Sequence, residues 1–252
     1  MLLKPVDINC DMGEGMPADE FIMPYINSAN IACGFHAGGE TVMRRTLDLA
    51  ARYKVHIGAH PSFHDKANFG RVEMHLAPDD LYALIIQQLV KIDLLVKEKQ
   101  LMLYHVKPHG ALYNMAARDA VMANTVAQAI KDFREDLVLY GLSGSKLISE
   151  GKKLGLQTAS EVFADRGYEE DGSLTPRSKE GALITDEDEV VERVIKMVNK
   201  GVVKTSSGKD IPLEAETVCI HGDGKNALKL AKALYQALHN KRNYIIEEGQ
   251  SK

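Results

Sequence analysis

Four histidines, His36, His60, His109 and His221, each close a short apolar run and stand beside a glycine or proline, in NIACGFHAGG, VHIGAHPS, YHVKPHGALYN and TVCIHGDG. Around them the sequence supplies the carboxylates Asp11, Glu14, Asp165 and Asp223, the amine Lys107 and the guanidiniums Arg71, Arg166 and Arg177. Imidazole with carboxylate provides proton transfer near neutral pH, and the cations suit a carboxylate or phosphate. Asp11, His60, Lys107 and His109 are the candidate catalytic groups. Asn9, Glu14, Asn30, His36, Arg71, Asp165, Arg166, Arg177, His221 and Asp223 are candidates for binding substrate or nucleotide.

Several chemistries are excluded by pattern. There is no GxSxG elbow, no HExxH and no Walker loop, since Asn226 stands where a P-loop needs Ser or Thr. His60 and His64 with Asp11 would make a two-histidine, one-carboxylate metal set, but a loop-decorating His64 accounts for the spacing slightly better. A bound transition metal is left open.

These groups need elements to hold them. Strand-like runs PVDINC, ANIAC, KVHIGA, LYHVKP, LVLYGL, LQTASEVF and TVCIHG alternate with amphipathic segments, among them ETVMRRTLDLAARYK and PDDLYALIIQQLVKIDLLVKEK. In the latter, Leu81, Leu84, Ile85, Leu89, Ile92 and Leu95 recur at helical spacing, behind Pro78 and two acids suited to a helix start. Strict β–α alternation implies a parallel sheet. Residues 202–216 interrupt it as a hairpin around Ser207-Gly208, and residues 163–182 form a long polar segment without periodicity.

Side chains two apart on a strand share a face. Asp7, Asn9 and Asp11 therefore oppose Val6, Ile8 and Cys10; His105, Lys107 and His109 oppose Tyr104, Val106 and Pro108; Cys219, His221 and Asp223 oppose Val218, Ile220 and Gly222. An open parallel sheet is covered on both sides and wants apolar residues on both. A closed barrel reconciles the two faces, with apolar residues toward outer helices and polar ones in the lumen. The expected fold is a single (β/α) barrel domain over residues 1–252, seven-stranded, with its site at the C-terminal strand ends. His56 and His105 lie deeper in their runs and are expected to be structural. Lys107 is expected to serve the chemistry, the alternative being a lysine neutralised by Asp7, Asp11 or Asp223 for stability alone.

The chain of 252 residues carries a net charge of -4 without a long basic cluster, which argues against nucleic acid or an anionic membrane as partner. Its three cysteines show no CxxC spacing, no apolar run is long enough for a bilayer, and Pro5 and Asp7 interrupt any signal-like start. A cytoplasmic location is expected.

DINCDMGEG, NIACGFHAGG, GAHPSF with FGR, VKPHGALYN, FADRGYEEDGSLTPR and CIHGDG, in this order, resemble the LamB/YcsF family, the A subunits of bacterial ATP-dependent 5-oxoprolinase. The resemblance implies a seven-stranded, deacetylase-like barrel. It also implies opening of 5-oxo-L-proline to L-glutamate coupled to ATP, a co-substrate with magnesium, in a complex with B and C subunits. At His64 the sequence departs from the HPS-aromatic-Pro-Asp pattern common in that family. The alternatives are a stand-alone metal-dependent carbohydrate deacetylase or amidase, and a non-catalytic scaffold protein of the complex.

Overall fold

The computed structural model describes residues 6–222 and 226–239. Asp223, a candidate binding residue, lies outside them.

Seven strands close a parallel barrel in the order β1 (Asp7–Met12), β2 (Ser28–Ala32), β3 (His56–His60), β4 (Leu103–Val106), β5 (Val138–Leu142), β6 (Thr158–Phe163) and β9 (Thr217–Ile220). Each falls within or beside an expected run. Between β6 and β9, β7 (Val202–Lys204) and β8 (Asp210–Pro212) pair antiparallel as a separate hairpin.

The helices form the outer layer: α1 (Asp19–Ile22), α2 (Glu40–Tyr53), α3 (Pro78–Glu98), α4 (Gly110–Arg118), α5 (Ala120–Phe133), α6 (Lys146–Lys153), α7 (Glu187–Lys200) and α8 (Ala227–His239). Their ends follow local chemistry. Pro78 opens α3 with Asp79 and Asp80 in its first turn. Asp119 caps α5 by accepting from the backbone N–H of Val121 and Met122, and Asp186 caps α7 through Glu189 N–H. Gly201 ends α7 at φ 63°, a left-handed position that costs glycine nothing.

The main apolar core lies between barrel and helices. Ile8, Cys10 and Met12 of β1 are fully buried in it with Leu81, Ile85, Leu89 and Ile92 of α3. The alternate residues of β1 turn into a polar lumen, where Asn9 and Asp11 meet Asn30 of β2. Among the described residues, no helix is long and apolar enough to cross a membrane.

Candidate active site

The lumen is layered. At the N-terminal end, Asp7 accepts from Ser28 Oγ at 2.6 Å and from Thr217 and Tyr140 hydroxyls. The carboxylates paired with Lys107 are instead Asp11 and Glu161. His56 is exposed at this end, stacked on Tyr104.

Above it, Asn9 Nδ2 donates to Thr217 Oγ1 (2.7 Å) and Asn30 Nδ2 donates to Asn9 Oδ1 (2.7 Å). His105 Nε2 donates to Asn30 Oδ1 (2.7 Å), and its ring stacks on Tyr140. His105 crosses the lumen over Gly58, where a Cβ would overlap the imidazole. Asn9 and Asn30 thus brace the floor, with Asn30 Nδ2 also donating to Asp11 Oδ1 at 2.9 Å.

The next layer is charged. Lys107 follows directly after β4 and is 2% exposed. Its ammonium lies 2.9 Å from Asp11 Oδ1, 2.9 Å from Glu161 Oε1 and 3.0 Å from Cys219 Sγ. Glu161 of β6 is fully buried and accepts from Tyr113 Oη at 2.6 Å. Burial opposes the charge on Lys107, but the Asp11 and Glu161 carboxylates hold its pKa well above the usual amine value. Burial likewise opposes ionisation of Asp11, and His60, when its ring is protonated, together with Lys107 outweighs it, holding the carboxyl well below its usual range. Cys219 is a thiol, because burial pushes its pKa well up.

The histidines form the mouth. His60 ends β3, and its Nδ1 lies 2.6 Å from the Lys107 carbonyl. His109, at the start of α4, places Nε2 2.9 Å from the Phe69 carbonyl and Nδ1 3.0 Å from His60 Nε2. His36, on the loop after β2, stacks on His109 with centroids 3.8 Å apart and planes at 7°. Its Nδ1 is 2.9 Å from Ser62 Oγ and its Nε2 3.1 Å from Glu14 Oε1. Gly70, at φ 66°, caps this stack so closely that a Cβ would sit 2.8 Å from His36 Cβ and 2.9 Å from His109 Cδ2. Burial, reinforced by His60, lowers the His109 pKa to about 3. Burial lowers that of His36 further still.

A cleft of about 1000 Å³ opens over this layer and reaches Asp11, Glu14, His60, Lys107, His109 and His221. His221 Nδ1 donates to the Asp165 carboxylate, 2.9 and 3.1 Å from its oxygens. The segment 163–182 folds over one side through bridges between Arg166 and Leu183 and between Tyr168 and Leu174. Arg166 is buried and spends its donors on the carbonyls of Ala182 (3.1 Å) and Thr175 (2.6 Å). Burial, then Arg177, lowers its pKa to about 10. Arg177 and Arg71 are exposed on the cleft's rim.

Asp11, His60, Lys107 and His109 therefore come together, with Glu14 and His36 beside them. His64 does not: it is exposed and packs on Phe35, so the Asp11–His60–His64 metal set is not assembled. Among the described residues two groups could hold a metal, Glu14, His36, His60 and His109, and Asp11, Cys219 and His221; within each, the ligand atoms all lie within 4.8 Å of one another. Glu161, Tyr113 and Ser62 are not singled out by sequence pattern. A single glutamate inside the otherwise uncharged strand LQTASEVF is the available signal for the first.

A closed parallel barrel ringed by helices, with ionisable groups gathered at the C-terminal strand ends, defines a (β/α)-barrel protein with its site in the usual place for that architecture. Residues 6–250 match the LamB/YcsF family, and the chain belongs to it. A Geobacillus kaustophilus protein, named as the A subunit of 5-oxoprolinase, is 51% identical over 242 residues, 94% of each chain. The Bacillus subtilis protein of the same name is 48% identical, covering 92% of this chain and 93% of its own. The crystal structure of the lactam utilization protein from Thermus thermophilus superposes with a TM-score of 0.87 at 40% identity, over 94% of this chain and 97% of that one.

Proposed function

We propose that this chain is the A component of a bacterial, cytoplasmic ATP-dependent 5-oxoprolinase, opening the lactam of 5-oxo-L-proline to L-glutamate. The names of its relatives support the substrate, and the residues at the mouth suit the chemistry. A five-membered lactam is a stabilised amide, so hydrolysis needs an activated carbonyl, a group that takes a proton from water, and cationic stabilisation of the oxyanion.

His60 Nδ1 donates to a backbone carbonyl, which leaves the Nε2 lone pair turned inward, 3.4 Å from Asp11 Oδ1. That nitrogen or the Asp11 carboxylate takes the proton as water adds to the carbonyl carbon. Lys107 and His109 flank the position where negative charge develops. The C–N bond then breaks and the amine leaves with a proton. Arg177 or Arg71 on the rim receives the substrate carboxylate.

ATP, with magnesium, phosphorylates the amide oxygen and leaves as ADP. Once water has added and the C–N bond has broken, the resulting acyl phosphate is hydrolysed to glutamate and inorganic phosphate. The B and C subunits complete the complex. This sequence has no Walker loop of its own. The observation that carries the proposal is the convergence of Asp11, His60, Lys107 and His109 on one cleft. The test is ATP-dependent glutamate formation from 5-oxoproline by the chain alone and with B and C. Activity is expected only from the complex. Full activity of the isolated chain, or none in either case, would overturn it.

A further inference from the structure

Hydrogen-bonding partners assign the proton on each of the three clustered imidazoles. Carbonyl oxygens only accept. His60 Nδ1, 2.6 Å from Lys107 O, and His109 Nε2, 2.9 Å from Phe69 O, therefore both carry hydrogen. Ser62 Oγ gives its hydrogen to Phe63 O at 2.9 Å, so it accepts from His36 Nδ1. In neutral rings the remaining nitrogens, His60 Nε2, His109 Nδ1 and His36 Nε2, bear lone pairs. Glu14 Oε1 lies beside two of them, His109 Nδ1 and His36 Nε2.

Two of those lone pairs, His60 Nε2 and His109 Nδ1, face each other at 3.0 Å with no proton of their own to share. Glu14 Oε1 is 3.5 Å from His109 Nδ1 and 3.1 Å from His36 Nε2. These separations are close to the edge of a tetrahedron, roughly 3.3 Å for bonds of about 2.0–2.1 Å to zinc. Each imidazole is fixed by an outer acceptor on its other nitrogen, the arrangement that orients metal-bound histidine.

We infer that Glu14, His36, His60 and His109 form a binding site for a divalent transition-metal ion of the zinc class. Three nitrogens and one oxygen favour zinc, cobalt or iron over magnesium, which prefers oxygen ligands. Glu14, His60 and His109 line the cleft while His36 is buried behind them, so the ion meets whatever occupies the cleft and can add a fifth ligand there. With the ion in place, His60 and His109 are ligands, and Asp11 remains beside them to accept a proton from water. The inference rests on the proton assignment and stands apart from the substrate proposed above.

The test uses the purified full-length chain, stripped with chelator and titrated with zinc, cobalt and magnesium chlorides by calorimetry, with melting curves recorded alongside. Zinc and cobalt are expected to bind at one ion per chain, to raise the melting temperature and to be removed by chelator. Magnesium is expected to bind at least about 100-fold more weakly. Cobalt should give the visible absorption of a tetrahedral site. His60→Gln and His109→Gln should each weaken zinc by at least about 100-fold, a loss at the upper end of that seen even for outer partners of metal ligands. Because removing a buried ring can unfold the chain, Glu14→Gln, which preserves volume, is the second probe and should weaken zinc comparably. His64→Asn, on an exposed ring away from the site, should bind as wild type. Failure of the wild type to take up zinc or cobalt overturns the inference, as does undiminished uptake in folded His60→Gln and Glu14→Gln proteins. A proton shared between His60 and His109, seen by imidazole nitrogen NMR in protein that takes up no ion, likewise overturns it. Ion uptake is read on this chain and glutamate formation on the complex, so either result can fail without deciding the other.

Discussion

The Lys107 ammonium lies 2.9 Å from Asp11 Oδ1, both groups buried at the floor of the cleft. A second carboxylate, Glu161, stands at the same distance on the other side. Removing the lysine therefore strands two buried negative charges, and a broken buried pair costs about 3–5 kcal/mol. Lys107→Met is expected to lower stability by that order and to abolish glutamate formation in the assembled complex. Adding Glu161→Gln should restore much of the stability without restoring turnover. If the double variant melts near wild type and works within a few-fold of it, Lys107 serves the fold alone.

His109 provides a second measure of the site. Its ring is held by Phe69 O and stacked on His36, with Nδ1 turned toward His60. His109→Ala should reduce turnover of the reconstituted complex by about 10²–10³-fold, the range for losing a group that stabilises developing charge. The assay is run well below the variant's melting temperature so that unfolding does not imitate the effect. A loss smaller than tenfold in folded protein would remove His109 from the chemistry.

The barrel was legible because each strand carried two signals at once, an apolar parity for the helix layer and a polar parity for the lumen. Asn9 and Asp11 opposite Ile8 and Cys10 are the clearest case. Parity also places Lys107 and His109 together. It says nothing about which carboxylate meets Lys107, because that depends on strands distant in sequence: Glu161, Asp11 and Lys107 sit on β6, β1 and the end of β4. The ring-nitrogen assignments were equally illegible, since they depend on the backbone carbonyls of Lys107 and Phe69. Arg166 shows the converse limit. A guanidinium that binds a ligand and one that ties down its own loop look alike in sequence.

Gly58 follows from the crowding of the lumen. A methyl group there would overlap the His105 ring, which is fully buried and held by its hydrogen bond to Asn30. Gly58→Ala should cost about 3 kcal/mol, the upper part of the usual range for overpacking, and lower the melting temperature by roughly 6–12 °C in a chain of this size. Differential scanning calorimetry reads this directly, and a change under 2 °C would mean that His105 moves freely.

Asp165 and His221 make an acid-sensitive pair on the cleft's other side. Burial alone would raise the Asp165 pKa, but the His221 charge and hydrogen bond outweigh it and hold the carboxyl below its usual value. The unfolded chain, with an ordinary carboxyl near about 3.9, then binds the proton first as pH falls. The stabilisation from ionised Asp165 is thus complete above about pH 5 and is lost as pH drops through about 4 toward the folded-state value. Asp165→Asn has no such titration. At neutral pH it should be less stable by about 1–3 kcal/mol, through loss of a charge-assisted bond. That gap should close steadily below about pH 4. Urea midpoints of the two proteins between about pH 2.5 and 7 measure it, the range being chosen to bracket an ordinary carboxyl. A gap that stays constant or widens in acid would mean that Asp165 is not the proton-linked partner of His221.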